Sequence, residues 1–183
     1  HPGIARALSF ARSCGLDVAL ITNGLKMDAK LAAAILANCT WVRISLDAAS
    51  PRVYKATHGL GAGAFSRVIA NTKMLARLKQ KTGGACTIGI GFLTSPETAA
   101  DIIAFAGLGR ELGVDYAQYR PILRRHGEKD MDYSSKEITC AIGLAEKSYS
   151  SARYRILNST HKYLLISRCE LGRNYSECYG HNF

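Results

Sequence analysis

The sequence predicts an α/β fold with parallel strands. Three observations carry that reading. Short apolar stretches alternate with amphipathic helical patterns along the chain. The strand-like stretches end in polar residues that run directly into helix starts. The stretch Trp41 to Ser50, WVRISLDAAS, shows the repeating unit whole. Strand side chains alternate between faces, so Val42, Ile44 and Leu46 share one face and Arg43, Ser45 and Asp47 the other. An apolar back suits helices. A front of Arg, Ser and Asp needs polar company if it is buried. Ser50-Pro51 then supplies a capping hydroxyl and a proline for the first helical position.

In chain order, Pro2 to Ser13 reads as a helix with Ile4, Leu8 and Ala11 on one face and Cys14-Gly15 as its stop. Asp17 to Ile21 reads as a strand with Thr22-Asn23-Gly24 at its tip. Asp28 caps the next helix, whose stripe is Leu31, Ala34, Ile35 and Asn38. The strand Trp41 to Asp47 follows, then a short helix from Pro51 to about Thr57. Beyond Gly59, Gly61 and Gly63, a longer helix runs from about Ala64 to Lys81 on Phe65, Val68, Ile69, Thr72 and Leu75.

Cys86 to Thr94 is the third strand. Ile88, Ile90 and Phe92 share one face; Gly89 and Gly91 share the other. Glycine weakens a strand, so two on one face need a reason. Either a ligand lies against bare backbone, or the interior is too tight for side chains. Ser95-Pro96 starts a helix that turns Ile102, Phe105, Ala106, Gly109 and Leu112 inward and stops at Gly113. Val114 to Pro121 is the fourth strand, with Gln118 and Arg120 on one face near its carboxyl end. After a polar loop, Ser134-x-x-Glu137 forms a capping box for a helix on Ile138, Ala141, Ala145 and Tyr149. Lys162 to Ser167 reads as a last strand.

Composition narrows the partners. No apolar run is long enough to span a membrane, and no signal peptide is visible. The formal charge of +10 invites nucleic acid, an anionic cofactor or an acidic substrate. The cations are spread along the chain, however. The densest cluster is Arg120, Arg124, Arg125 and His126, with no interleaved aromatic motif, so nucleic acid is not the expected partner. Cys14, Cys39, Cys86, Cys140, Cys169 and Cys178 show no C-x-x-C spacing. That fits a reduced, cytoplasmic setting better than a disulfide framework.

In a parallel sheet all four strand tips share one edge. There they collect Thr22 and Asn23, Ser45 and Asp47, Gly89 and Gly91, and Gln118 and Arg120. The set offers a hydroxyl, an amide, a carboxylate, open backbone and a guanidinium. It suits a ligand with sugar hydroxyls, an amine and a carboxylate. Asp47 accepts from an amine or a ribose hydroxyl, Gln118 donates and accepts, and Arg120 pairs bidentately with a carboxylate. The competing reading is an internal polar network, for instance Arg120 to Asp47. His58 beside Gly59 could serve a site, but a lone loop histidine is more often solvated.

HPG before a helix, LITNG at a strand tip, VRISLDAASPRVYKATHG, then TIGIGFLTSPE and VDYAQYRPIL, in this order, resemble the radical SAM enzyme superfamily. The likeness covers about Pro2 to Leu123. It implies a six-stranded partial (β/α) barrel, of which these strands are the third to sixth. It implies a 4Fe–4S cluster held by C-x-x-x-C-x-x-C after the first strand. It further implies S-adenosylmethionine, cleaved to a 5′-deoxyadenosyl radical that abstracts hydrogen from substrate. Ser45 and Asp47 match the fourth strand's end, where ribose and the methionyl carboxylate are met. Gly89 and Gly91 match the fifth strand near adenine, and Gln118 and Arg120 match the sixth. Implied partners are a small-molecule or peptide substrate and an electron donor such as flavodoxin or ferredoxin.

The departure is that no C-x-x-x-C-x-x-C occurs in the chain. The expectation is a piece of a longer enzyme, inactive alone, with the cluster ligands and a Gly-Gly-Glu turn upstream of His1. The barrel part is assigned to residues 1–133, a completing or flanking helix and strand to 134–168, and the start of a cysteine-rich extension to 169–183. That extension resembles the SPASM or twitch type, which binds auxiliary iron–sulfur clusters; Cys178 is its candidate first ligand and Cys169 a lesser one. The alternatives are another α/β-barrel metabolic enzyme, which would need a phosphate-binding loop near its last strands, and a basic module that binds nucleic acid through Arg120, Arg124 and Arg125.

Overall fold

Five parallel strands, in chain order, form the sheet of the computed structural model, which describes residues 1–122 and 136–159. They are β1 (Ala19–Thr22), β2 (Trp41–Ser45), β3 (Thr87–Thr94), β4 (Tyr116–Pro121) and β5 (Arg155–Asn158). The helices between them are α1 (Ile4–Ser13), α2 (Ala29–Asn38), α3 (Pro51–His58), α4 (Ala62–Thr82), α5 (Ile102–Leu112) and α6 (Lys136–Tyr149).

Local chemistry sets the helix ends. Asp28 accepts from Leu31 N at 2.7 Å and caps α2. Ser50 accepts from Val53 N at 3.3 Å and caps α3, with Pro51 in its first turn. Gly59, Gly83 and Gly113 take left-handed conformations just past α3, α4 and α5.

The register sorts the sheet into two unlike faces. Val42, Ile44, Ile88, Ile90, Phe92, Ala117, Tyr119 and Ile156 form the back, all buried. They share one core with Leu8, Ile35, Phe65, Val68, Leu75, Phe105 and Ile142 from the helices. Each large aliphatic or phenylalanine side chain among them contributes about 1.5–3 kcal/mol on burial. The front carries Arg43, Gly89, Tyr116 and Arg155 in one row, then Ser45, Gly91, Gln118 and Leu157, then Leu93 and Arg120.

Four sequence readings change. β2 ends at Ser45, two residues early, because the chain bulges at Leu46 and Asp47. The helix expected from Ser95 begins at Ile102. Ser95 and Thr98 instead bond to one another, Ser95 N to Thr98 Oγ1 at 2.9 Å, ahead of a 3₁₀ turn over Ala99–Asp101. The α2 stripe is rotated: Ala32 and Ile35 are buried, since an alanine-rich helix meets its neighbours through its smallest side chains. The strand β5 at Arg155–Asn158 was not foreseen. The strand expected at Lys162 to Ser167, the capping box at Ser134, the cluster Arg124, Arg125 and His126, and Cys169 and Cys178 lie outside the described residues.

Gly109 on α5 makes room for Tyr154, whose hydroxyl donates to Ala106 O at 2.9 Å. A Cβ there would overlap that hydroxyl. Gly109→Ala is expected to lower stability by about 1–3 kcal/mol in urea unfolding despite its better helix propensity. A stabilised variant would refute the close fit.

Candidate functional site

The site forms where β2 stops being a strand. Leu46 N and Asp47 N both donate to Gly91 O, at 3.3 and 3.1 Å, so two residues oppose one. Asp47 sits at φ 53°, a left-handed conformation that Asp tolerates better than most residues. Its parity with Ser45 therefore does not come from a continuing strand. The bulge turns the carboxylate along the β3 edge, where Oδ1 accepts from Leu93 N at 2.7 Å. Oδ2 has His58 Nε2 at 3.7 Å.

Asp47 is 8% exposed. Burial raises its pKa above the ordinary carboxylate value, against the opposing pull of Leu93 N, His58, Arg120 and Arg43. The loop below it is fixed by Asp101, which accepts from Ala49 N at 2.8 Å and from Ser50 Oγ at 3.0 Å.

The rest of the front face is basic. Arg43 gives Nη1 to Gln118 Oε1, and Gln118 Nε2 donates to Ser159 Oγ at 3.3 Å. The Arg43 guanidinium lies 5.9 Å from the Trp41 ring centroid. Burial and then the charge of Arg120 lower the Arg43 pKa. Ser45 and Arg120 are half-buried, and neither side chain has a hydrogen-bond or ion-pair partner among the described residues.

Other expected members do different work. Asn23 is exposed on the same edge, but its Oδ1 accepts from Leu25 N at 3.2 Å within its own turn. The two strand glycines are not bare backbone. The Tyr116 ring lies over Gly89, where a Cβ would overlap it. The Arg43 stem lies over Gly91, with Cδ 3.3 Å from a built Cβ. Of the two sequence readings, the tight interior describes what covers both. Cys178, the candidate cluster ligand, is outside the described residues.

Sequence reasoning left Arg43, His58, Tyr116 and Asp101 out of the site. Arg43 and Tyr116 were available from parity with Ser45 and Gln118. His58 reaches Asp47 because α3 ends beside it, with the imidazole stacked on Tyr54 at 4.3 Å. Asp101 lies far along the chain in a 3₁₀ turn, and no local signal marks it.

Among the described residues no three His, Cys, Asp or Glu side chains gather as a metal site. Cys39 and Cys86 are buried free thiols, and burial pushes Cys86 up to about 11. No helix among those residues is long and apolar enough to cross a membrane.

The described sheet has the parallel α/β architecture expected from the sequence, and solved structures share that fold. The particular structures it is similar to include two of SuiB from Streptococcus suis, one of them bound to S-adenosylmethionine. Each matches with TM-score 0.63 and 11% identity over 85% of this chain and 36% of SuiB. SuiB bound to the precursor peptide SuiA matches with TM-score 0.64 and 12% identity, over 91% and 37%. A domain of pyruvate-formate lyase-activating enzyme from Bacteroides vulgatus matches with TM-score 0.60 and 14% identity, over 84% and 88%. The chain thus spans just over a third of the length of SuiB. At these identities the likeness is one of fold. No family model and no curated protein matches the sequence.

Proposed function

We propose that this chain is the cofactor-binding part of a radical SAM enzyme, holding S-adenosylmethionine across the carboxyl ends of β2 to β4. The observation that carries the reading is Asp47. It is buried in a left-handed bulge with one oxygen bonded to Leu93 N and the other beyond hydrogen-bond reach of His58. Ser45 and Arg120, beside it, lack partners among the described residues.

That donor set fits the cofactor. Asp47 Oδ2 accepts from an amine or a ribose hydroxyl, Ser45 gives a hydroxyl, and Arg120 pairs with a carboxylate. Bound S-adenosylmethionine supplies the adenosyl carbon that takes hydrogen from substrate after one-electron cleavage. The chain's own residues bind and orient it. SuiB, of the same fold, is solved with S-adenosylmethionine and with a precursor peptide, which supports a peptide as one substrate class.

A 4Fe–4S cluster does not fit the residues present. None of the six cysteines has the C-x-x-x-C-x-x-C spacing, and no step is assigned to a cluster on this chain. A flavodoxin or ferredoxin donor belongs to the same proposal, as a partner of the whole enzyme.

Equilibrium binding of S-adenosylmethionine to the full-length protein tests the site. Asp47→Ala and Arg120→Ala are each expected to weaken it about tenfold, with iron content unchanged. Unchanged affinity in both variants would remove the site from this rim.

A further inference from the structure

We propose that the front face carries an oxyanion subsite below the rim, built on Arg43, and that it takes the carboxylate of the substrate. The inference rests on the proposed cofactor site at the rim of this face, and it names the substrate class.

Arg43 is 7% exposed at the middle of the sheet. Its Nε is buried with no hydrogen-bond partner. The ion pairs among the described residues are Arg12–Asp17, His58–Asp47 and Lys79–Asp115, so none of their carboxylates pairs directly with this cation, and Asp47 acts on it only from a distance. A buried guanidinium nitrogen without a partner is costly, and such atoms in native structures call for one. Arg120 adds a second positive charge from β4, two strands away.

The geometry selects the partner's shape. Gln118 occupies Nη1, which lies on the Cδ side of the guanidinium. That leaves Nε–H and Nη2, the side-on fork, which matches the two oxygens of a planar carboxylate. Trp41 and Gln118 hold the fork in place.

A cavity of about 610 Å³ on this face is lined by Arg43 together with Trp41, Tyr116, Gln118, Leu157 and Arg155. That volume is ordinary for a small-molecule site. The acid in its wall, Asp115, is already bound by Lys79 Nζ and Ile88 N, both at 2.6 Å. The cavity therefore offers cations and aromatic walls, and suits a carboxylate attached to an apolar or aromatic body.

The test is calorimetric binding to the full-length protein with five probes: phenylacetate, phenylacetamide, phenyl phosphate, and the peptide Ac-Ala-Glu-Ala-NH₂ beside its Gln counterpart. Phenylacetate is expected to bind about tenfold or more tighter than the amide. Arg43→Met should erase that preference, and Arg43→Lys should keep a fraction of it. A Glu-over-Gln preference assigns the carboxylate to a peptide; a preference seen with phenylacetate alone assigns it to a small molecule.

The inference is overturned if the wild type does not discriminate acid from amide, if the preference survives Arg43→Met, or if phenyl phosphate outcompetes phenylacetate. Should Arg43→Met fail to fold by circular dichroism, Arg43→Lys and the wild-type comparison decide. S-adenosylmethionine binding is measured on the same samples. Cofactor binding without acid discrimination overturns the subsite alone; discrimination without cofactor binding overturns the cofactor reading alone.

Discussion

Asp101→Ala is expected to lower stability by about 3 kcal/mol and to weaken S-adenosylmethionine binding, although Asp101 belongs to no strand tip. Its carboxylate accepts from Ala49 N and Ser50 Oγ and is 8% exposed. Each hydrogen bond to a buried charge contributes about 1.5–3 kcal/mol, and alanine would strand the Ala49 N–H without a partner. The loop so anchored runs directly from Asp47 to the cap of α3. Releasing it costs twice: α3 loses the fixed position of its Ser50 cap, and Asp47 loses the support for a left-handed backbone. Urea unfolding should show a lower midpoint with an unchanged slope, since the exposed surface barely changes. Asp101→Asn retains one acceptor and should recover part of the loss. A shift below about 1 kcal/mol in the alanine variant would mean that the loop holds itself.

The contrast between Asp101 and Arg43 shows what a sequence carries and what it leaves out. Alternation along β2, β3 and β4 follows from backbone geometry, so the apolar back and the polar front were both readable. Ser50, Asp28 and the glycines after α3, α4 and α5 act within a few residues of themselves, and they too were readable. The bulge at Asp47 was not, because it depends on Gly91 O on the next strand accepting two donors. Two glycines on one strand face need a reason, and that much is visible in the sequence. Which reason held depended on the Tyr116 ring and the Arg43 stem arriving from neighbouring strands. β5 was missed because Arg155–Asn158 has one buried side chain and no alternation to see. Whatever acts through space at long separation, as Asp101 does across 52 residues, leaves no local trace.

Asp47→Asn should separate the demands of folding from those of binding. Burial is the largest influence on this carboxylate and raises its pKa in the folded chain. Between the ordinary carboxylate value and the raised folded one, the native state binds more protons than the unfolded state. Stability therefore falls as pH rises through that window and levels off above it. Asparagine does not titrate there, keeps an oxygen for Leu93 N, and adopts left-handed backbone readily. The variant should thus match the wild type below the window and equal or exceed it in melting temperature at neutral pH. Its S-adenosylmethionine affinity should nevertheless fall by about tenfold or more, because a neutral amide answers a cofactor amine poorly. Melting curves across pH, paired with cofactor titrations at neutral pH, check both halves. A variant less stable than the wild type throughout would show that Arg43, Arg120 and His58 stabilise the charged form more than burial penalises it. That result would reverse the sign assigned to this residue.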